Sequence, residues 1–225
     1  TNYGLPVWYD RHKMLLGDER DNKNFDEGVK ACNYSIIILS ANTIASECAN
    51  EEIDLIYQRY KQHKMYVFPI FFNIKASQLP EKYCWMKRLV YKELTVANDS
   101  RSACNHIICK VTLDELQKYK IKTINEYLKL YKNNKAFSYL TELIDSYCKI
   151  SDENHNAQIA LLYAGCLYIK EKYNCCLEIP EFYYKGIQRL FEETRLNLPI
   201  DLRETLIFER LFLLLFNAAI FGYTI

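Results

Sequence analysis

Apolar residues in the first part of the chain either form short unbroken runs or recur every three or four positions. Leu5 to Asp10 (LPVWYD) is apolar and β-prone and ends in a charge, as parallel strands do where they open into a loop. Arg11 to Asn24 is polar apart from Met14-Leu15-Leu16 and contains Gly17, which predicts a long surface loop. Phe25, Val29 and Cys32 then recur at helical spacing. Ser35 to Ser40 (SIIILS) predicts a strand buried on both faces. Next, Ile53, Ile56, Tyr57 and Tyr60 mark one face of a helix, with Ser46 as its N-cap and Glu47 in the first turn. Met65 to Phe72 (MYVFPIFF) predicts another strand, and Pro69 assigns it an edge position or marks its end. Strand, helix, strand, helix, strand is the order of a doubly wound parallel sheet.

After about Lys110 no further β-prone run appears. Ile121, Ile124, Leu128 and Tyr131 form one helical stripe; Phe137, Leu140, Ile144 and Tyr147 form a second; Ile159, Leu162, Cys166 and Ile169 form a third. Pro180 stands where a helix can begin, ahead of Phe182, Tyr183, Ile187, Leu190 and Phe191. Asp201 suits the cap of a last helix through Phe221, with Gly222 ending it. The expected organisation is an α/β domain over residues 1–115 and an all-helical domain, a bundle or degenerate helical array, over residues 116–225.

Composition narrows the partners. With 29 basic and 28 acidic side chains the formal net charge is +1, which gives no surplus for nucleic acid or an anionic membrane. Leu206 to Ile225 is the most apolar segment, but Glu209, Arg210 and Asn217 interrupt it. The expectation is therefore a buried or oligomer-forming helix, with no membrane span. Nine cysteines, an odd number with no Cys-x-x-Cys pair, read as reduced thiols in a cytoplasmic protein. With four scattered histidines beside them, no metal site is expected.

Five segments, in order and at ordinary spacing, resemble TIR (Toll/interleukin-1 receptor) domains over roughly residues 4–116. Gly4-Leu5-Pro6-Val7-Trp8-Tyr9-Asp10 resembles the family's second strand, and Gly17 the glycine of the BB loop that follows it. Ser35 to Ser40 is similar to the third strand, and Val67-Phe68-Pro69-Ile70 to the fourth. Ser46-Glu47-Cys48-Ala49-Asn50-Glu51-Glu52-Ile53 is similar to the helix start Ser-x-Trp-Cys-x-x-Glu-Leu, with Cys48 where the family has an aromatic residue. The resemblance implies a flavodoxin-like parallel sheet. The family's first strand, central in such a sheet, has no counterpart before Gly4, and residues upstream of this sequence are expected to supply it.

The resemblance also implies chemistry. Many TIR domains cleave NAD at the nicotinamide–ribose bond, with NAD as substrate and no cofactor. The leaving group is neutral and the transition state resembles an oxocarbenium ion, so a carboxylate beside the ribose suffices. Glu52 aligns with that carboxylate, while Glu51, about 100° away around the helix, faces solvent. Trp8 reads either as core or as part of the substrate site. Asp10, Arg11 and Lys13 either meet substrate ribose and phosphates or solvate the loop. Gly17 and Cys48 complete the implied substrate-binding set. The expected function is an NAD-consuming effector in immune or antiviral defence, releasing hydrolysed or cyclised ADP-ribose; the alternative is a non-enzymatic TIR adaptor. Self-association through the TIR domains is expected, with Met14-Leu15-Leu16 either meeting a neighbouring copy or folding back on its own domain. The helical half would receive a signal molecule or protein partner that the sequence does not identify.

Overall fold

A strand exists only where another strand completes its hydrogen bonds, and among the described residues three segments meet that condition. They are β1 (Tyr34–Leu39), β2 (Tyr66–Phe72) and β3 (Lys92–Leu94), all parallel, in the order β1-β2-β3. The structure, a computed structural model, describes residues 6–9, 15–19, 21–96, 100–174, 181–196 and 202–221. The chain divides into two compact units, Val7–Cys104 around the sheet and the helical remainder from Asn105.

In the first unit, helix α1 (Asp21–Lys30) is a π-helix that precedes β1. The short α2 (Ala41–Ala45) and the longer α3 (Glu47–Lys61) join β1 to β2. Ser46 caps α3 as expected, its hydroxyl accepting from the Ala49 amide at 3.3 Å, and Glu47 occupies the first turn. The inward residues Ile53 and Ile56 of α3 share one core with Ile37, Leu39, Val67, Phe71, Tyr83 and Met86. Two 3-10 turns, Ala76–Gln78 and Glu81–Arg88, follow β2 and supply Tyr83, Met86 and Trp85. The Trp85 ring stacks on Tyr57 and Tyr60 with centroids 4.7 and 5.3 Å apart.

Several expectations for this unit are corrected. Pro6–Tyr9 is not a strand, because none of the described residues pairs with it. The predicted surface loop ends early, since residues 21–24 are wound into α1 and Asn24 is buried. Nor is β1 buried on both faces: Ile37 and Leu39 are covered, while Ile36 and Ile38 are 44% and 57% exposed. Isoleucine favours a pleated strand whether or not its face is covered, so an isoleucine run does not report coverage. Pro69 lies in the central strand, opposite Ile37 of β1, and pairing with β3 begins only at Ile70. The missing proline N–H therefore falls before the second ladder starts.

The second unit is helical. The described helices are α4 (Arg101–Leu116), whose later turns carry core residues of this unit, α5 (Ile124–Tyr131), α6 (Ser138–Tyr147), α7 (His155–Tyr173), α8 (Glu181–Arg195) and α9 (Leu202–Phe221). The stripes read from the sequence are buried at Ile124, Leu140, Ile144, Tyr147, Ile159, Leu162, Cys166 and Ile169. Helix α9 is enclosed on most sides, with Phe208, Phe212, Leu214 and Phe216 fully buried. Among the described residues no helix is long and apolar enough to cross a membrane. The caps expected at Pro180, Asp201 and Gly222 lie outside the described residues. The division at Cys104 falls inside α4, whereas the sequence reading placed the boundary at 115/116, beside the last residue of the same helix.

Candidate active site

The parallel strands open at their carboxyl ends toward the helices that follow them, which is where α/β sheets present ligand-binding side chains. At the end of β1, Ser40 caps α2 through the Thr43 amide at 3.3 Å, and Thr43 Oγ1 returns a hydrogen bond to the Ile38 carbonyl at 3.0 Å. Ser46 then ends α2 and starts α3. Asn50 fastens this corner: its Nδ2 donates to the carbonyls of Ile44 at 3.0 Å and Ser46 at 2.7 Å, and its Oδ1 accepts from the Tyr83 hydroxyl. The first turns of α3 are thereby held on both sides, and Glu52 stands on the turn that follows.

Glu52 is half-buried, while its neighbour Glu51 is exposed, as the helical rotation between them requires. The carboxylate oxygen Oε1 of Glu52 accepts from Asn24 Nδ2 of α1 at 2.7 Å, a short contact typical of a charged acceptor. Cys48, one turn earlier on α3, places its thiol 3.8 Å from the same oxygen. Asn24 is only 3% exposed, and its Oδ1 is buried without a hydrogen-bond partner. Four residues further along α1, Gly28 lies beneath the ring of Trp8: a Cβ added there would meet Trp8 Cε3 and Cζ3 at 3.0 Å. The half-buried Trp8 thus packs against the helix that carries Asn24.

The structure thus brings Glu52 and Cys48 together and adds Asn24, and it sets Trp8 on the same α1 helix. Gly17 lies in a tight turn. Leu15 N donates to Asp18 Oδ2 at 2.9 Å, Asp18 N donates to Leu15 O at 3.0 Å, and Gly17 has φ +98°. That positive φ, at the third position of the turn, suits glycine. The turn leaves Leu15 78% exposed and Leu16 fully exposed, so neither folds back on its own domain. Asp10, Arg11 and Lys13 lie outside the described residues. Asn24 was missed in the sequence because it ended a polar stretch, and its partner is 28 positions away. Among the described residues no group of three or more His, Cys, Asp or Glu is placed to hold a metal ion.

Comparison with known proteins gives a consistent outcome. A family model described as TIR domain matches residues 1–108. The chain is 33% identical over 78 residues to the NAD(+) hydrolase TcpC of Escherichia coli, a match covering 34% of this chain and 25% of that protein. It is 33% identical over 77 residues to the 2' cyclic ADP-D-ribose synthase AbTIR of Acinetobacter baumannii, covering 34% and 28%. To the 2' cyclic ADP-D-ribose synthase BtTIR of Bacteroides thetaiotaomicron it is 28% identical over 79 residues, covering 35% and 27%. The chain thus spans little more than a quarter of the length of these curated relatives. No solved structure matches it.

Proposed function

Residues 1–108 are a TIR domain, and from that premise we propose that the chain cleaves NAD at the bond between nicotinamide and ribose. The observation that carries this reading is the half-buried Glu52 carboxylate in the second turn of α3, hydrogen-bonded by the buried Asn24. Nicotinamide leaves its cationic form as a neutral base, so no acid has to protonate it. Positive charge develops on the ribose carbon and ring oxygen, and a fixed carboxylate stabilises it and accepts hydrogen bonds from the sugar hydroxyls. Trp8, Cys48 and the segment with Asp10, Arg11 and Lys13 supply the substrate-facing surroundings in this reading. Water arriving at the oxocarbenium carbon gives ADP-ribose; a hydroxyl of the same molecule gives a cyclic product. The two relatives at 33% identity bear names of these two kinds.

In this reading the exposed Leu15-Leu16 turn meets a neighbouring copy, and the helical unit receives the signal or partner that promotes assembly, in a defence role. A second reading, a TIR adaptor without turnover, is favoured by that same turn, because an assembly surface needs no catalysis. Incubating the whole chain with NAD and separating the products by chromatography decides between them. Nicotinamide release by the wild type, lost in Glu52→Ala, is the outcome expected. Equal release by both proteins removes Glu52 from the mechanism, and no release by the assembled wild type leaves the adaptor.

A further inference from the structure

Asn24 enters the proposed reaction only as the hydrogen-bond partner of Glu52. Its position, 3% exposed on the inward side of α1, is one where an apolar side chain would need no hydrogen-bond partner. Asparagine there is unfavourable for folding, since its Oδ1 is buried and unpaired. Its orientation is forced. An ionised carboxylate only accepts, so the Nδ2 must face Glu52 and the Oδ1 must point the other way. Packing therefore does not explain the side chain, whereas the 2.7 Å bond to Glu52 Oε1 does.

That bond crosses from α1 to α3, so it ties the Glu52 side chain to a second helix. Glu52 has three rotatable bonds, and the Cys48 thiol, 3.8 Å from the same oxygen, is a weak donor. A donor fixed by burial selects one rotamer of the carboxylate. We propose that Asn24 is a positioning residue, which holds the Glu52 carboxylate in one orientation, aimed at the ribose of NAD. This inference rests on the NAD-cleaving reading.

The test uses the whole chain and NAD, with kcat and KM from nicotinamide release and melting temperature measured alongside. Asn24→Leu removes the donor together with the unpaired carbonyl. Its kcat is expected to fall about 10- to 100-fold, the range for one hydrogen bond to a charged group. KM should stay within about threefold of wild type, as for an interaction made mainly in the transition state. Loss of the donor to Glu52 and removal of the buried, unpaired Oδ1 act in opposite directions, so melting temperature should change little. Asn24→His returns an N–H donor at the same number of bonds from Cα and should recover most of the lost kcat.

Asn24→Leu with wild-type kcat overturns the proposal. So does a fall in melting temperature in both variants with activity lost in proportion, which assigns Asn24 to the fold alone. A different pattern marks failure of the NAD reading itself: no turnover by the wild type, or full turnover by Glu52→Gln, and either overturns this inference with it.

Discussion

Replacing Leu15 and Leu16 together by aspartate is expected to abolish self-association while leaving the fold intact. The fold should survive because neither side chain contributes to it: Leu15 is 78% exposed and Leu16 is fully exposed. Substitutions at such positions usually change stability by less than about 0.5 kcal/mol. The turn itself depends on groups the variant retains, namely Gly17 at φ +98° and the two hydrogen bonds between Leu15 and Asp18. Association is another matter. Burying a leucine side chain contributes about 1.5–3 kcal/mol, so two contribute about 3–6 kcal/mol to each contact. At about 1.4 kcal/mol per tenfold, their loss weakens the contact by roughly 10²- to 10⁴-fold, before the added penalty of burying two carboxylates.

The assay is particle size against protein concentration, by light scattering or sedimentation, with nicotinamide release measured on the same samples. Wild-type activity per protomer should rise with concentration as particles grow, because a head-to-tail contact repeats into rings or filaments. The variant should remain small and nearly inactive at the same melting temperature. A variant that forms particles of wild-type size, or that is fully active as a monomer, refutes the assignment of this turn to assembly.

Four further outcomes are expected. Glu52→Gln keeps an acceptor for Asn24 and should fold normally, yet lose about 10²- to 10³-fold in kcat, whereas exposed Glu51→Gln should change kcat less than threefold or so; equal effects would refute the assignment of the carboxylate. Gly165→Ala in α7 places a Cβ 2.7 Å from Phe212 Cε2 and 3.0 Å from Leu143 Cδ1, and Phe212 is fully buried. The clash, about 1–3 kcal/mol, should outweigh the roughly 1 kcal/mol gained in helix propensity, so an increase in melting temperature would contradict the packing of α7 on α9. Tyr147→Phe deprives Glu209 of a 2.7 Å donor and should cost about 1–2 kcal/mol in chemical denaturation. Burial first, then Glu115, pushes the Tyr183 hydroxyl up to about 12, and burial with Glu209 raises Tyr147 in the same direction. Since the folded values lie above the ordinary 10, this stability is complete below about pH 10 and lost as pH passes 12; melting curves that stay flat between those limits would contradict it.

What the sequence disclosed divides by the range of the interactions involved. Ser46 as a cap, the inward stripe at Ile53 and Ile56, and the place of β1, which runs one residue earlier than read, follow from contacts within a few residues. Strand pairing does not work that way. Pro6–Tyr9 has strand-like residues but no described partner, whereas Lys92-Glu93-Leu94 has unremarkable residues and pairs with Ile70, Phe71 and Phe72. The candidate site splits likewise. Cys48 and Glu52 lie four residues apart on one helix and were found together; Asn24 reaches them across 28 positions and was not.

The last helix carries this distinction furthest. Glu209, Arg210 and Asn217 stand out in its sequence only as interruptions of an apolar run, enough to argue against a membrane span. In the fold each has a partner far away in the chain. The Tyr147 hydroxyl donates to Glu209 at 2.7 Å, Arg210 donates to the carbonyls of Leu116 and Tyr119, and the Tyr127 hydroxyl donates to Asn217 at 2.6 Å. These bonds tie α9 to α5, α6 and the end of α4 at two levels, Glu209-Arg210 and, about two turns on, Asn217. Apolar packing alone constrains the rotation and axial position of a helix this greasy only weakly, since Leu211 to Phe216 are six consecutive buried apolar residues. Sliding α9 by one turn would leave Glu209 and Arg210 facing apolar neighbours, at the cost of unpaired buried groups. The polar residues therefore set the register of the helix, and the apolar ones supply most of its stabilisation.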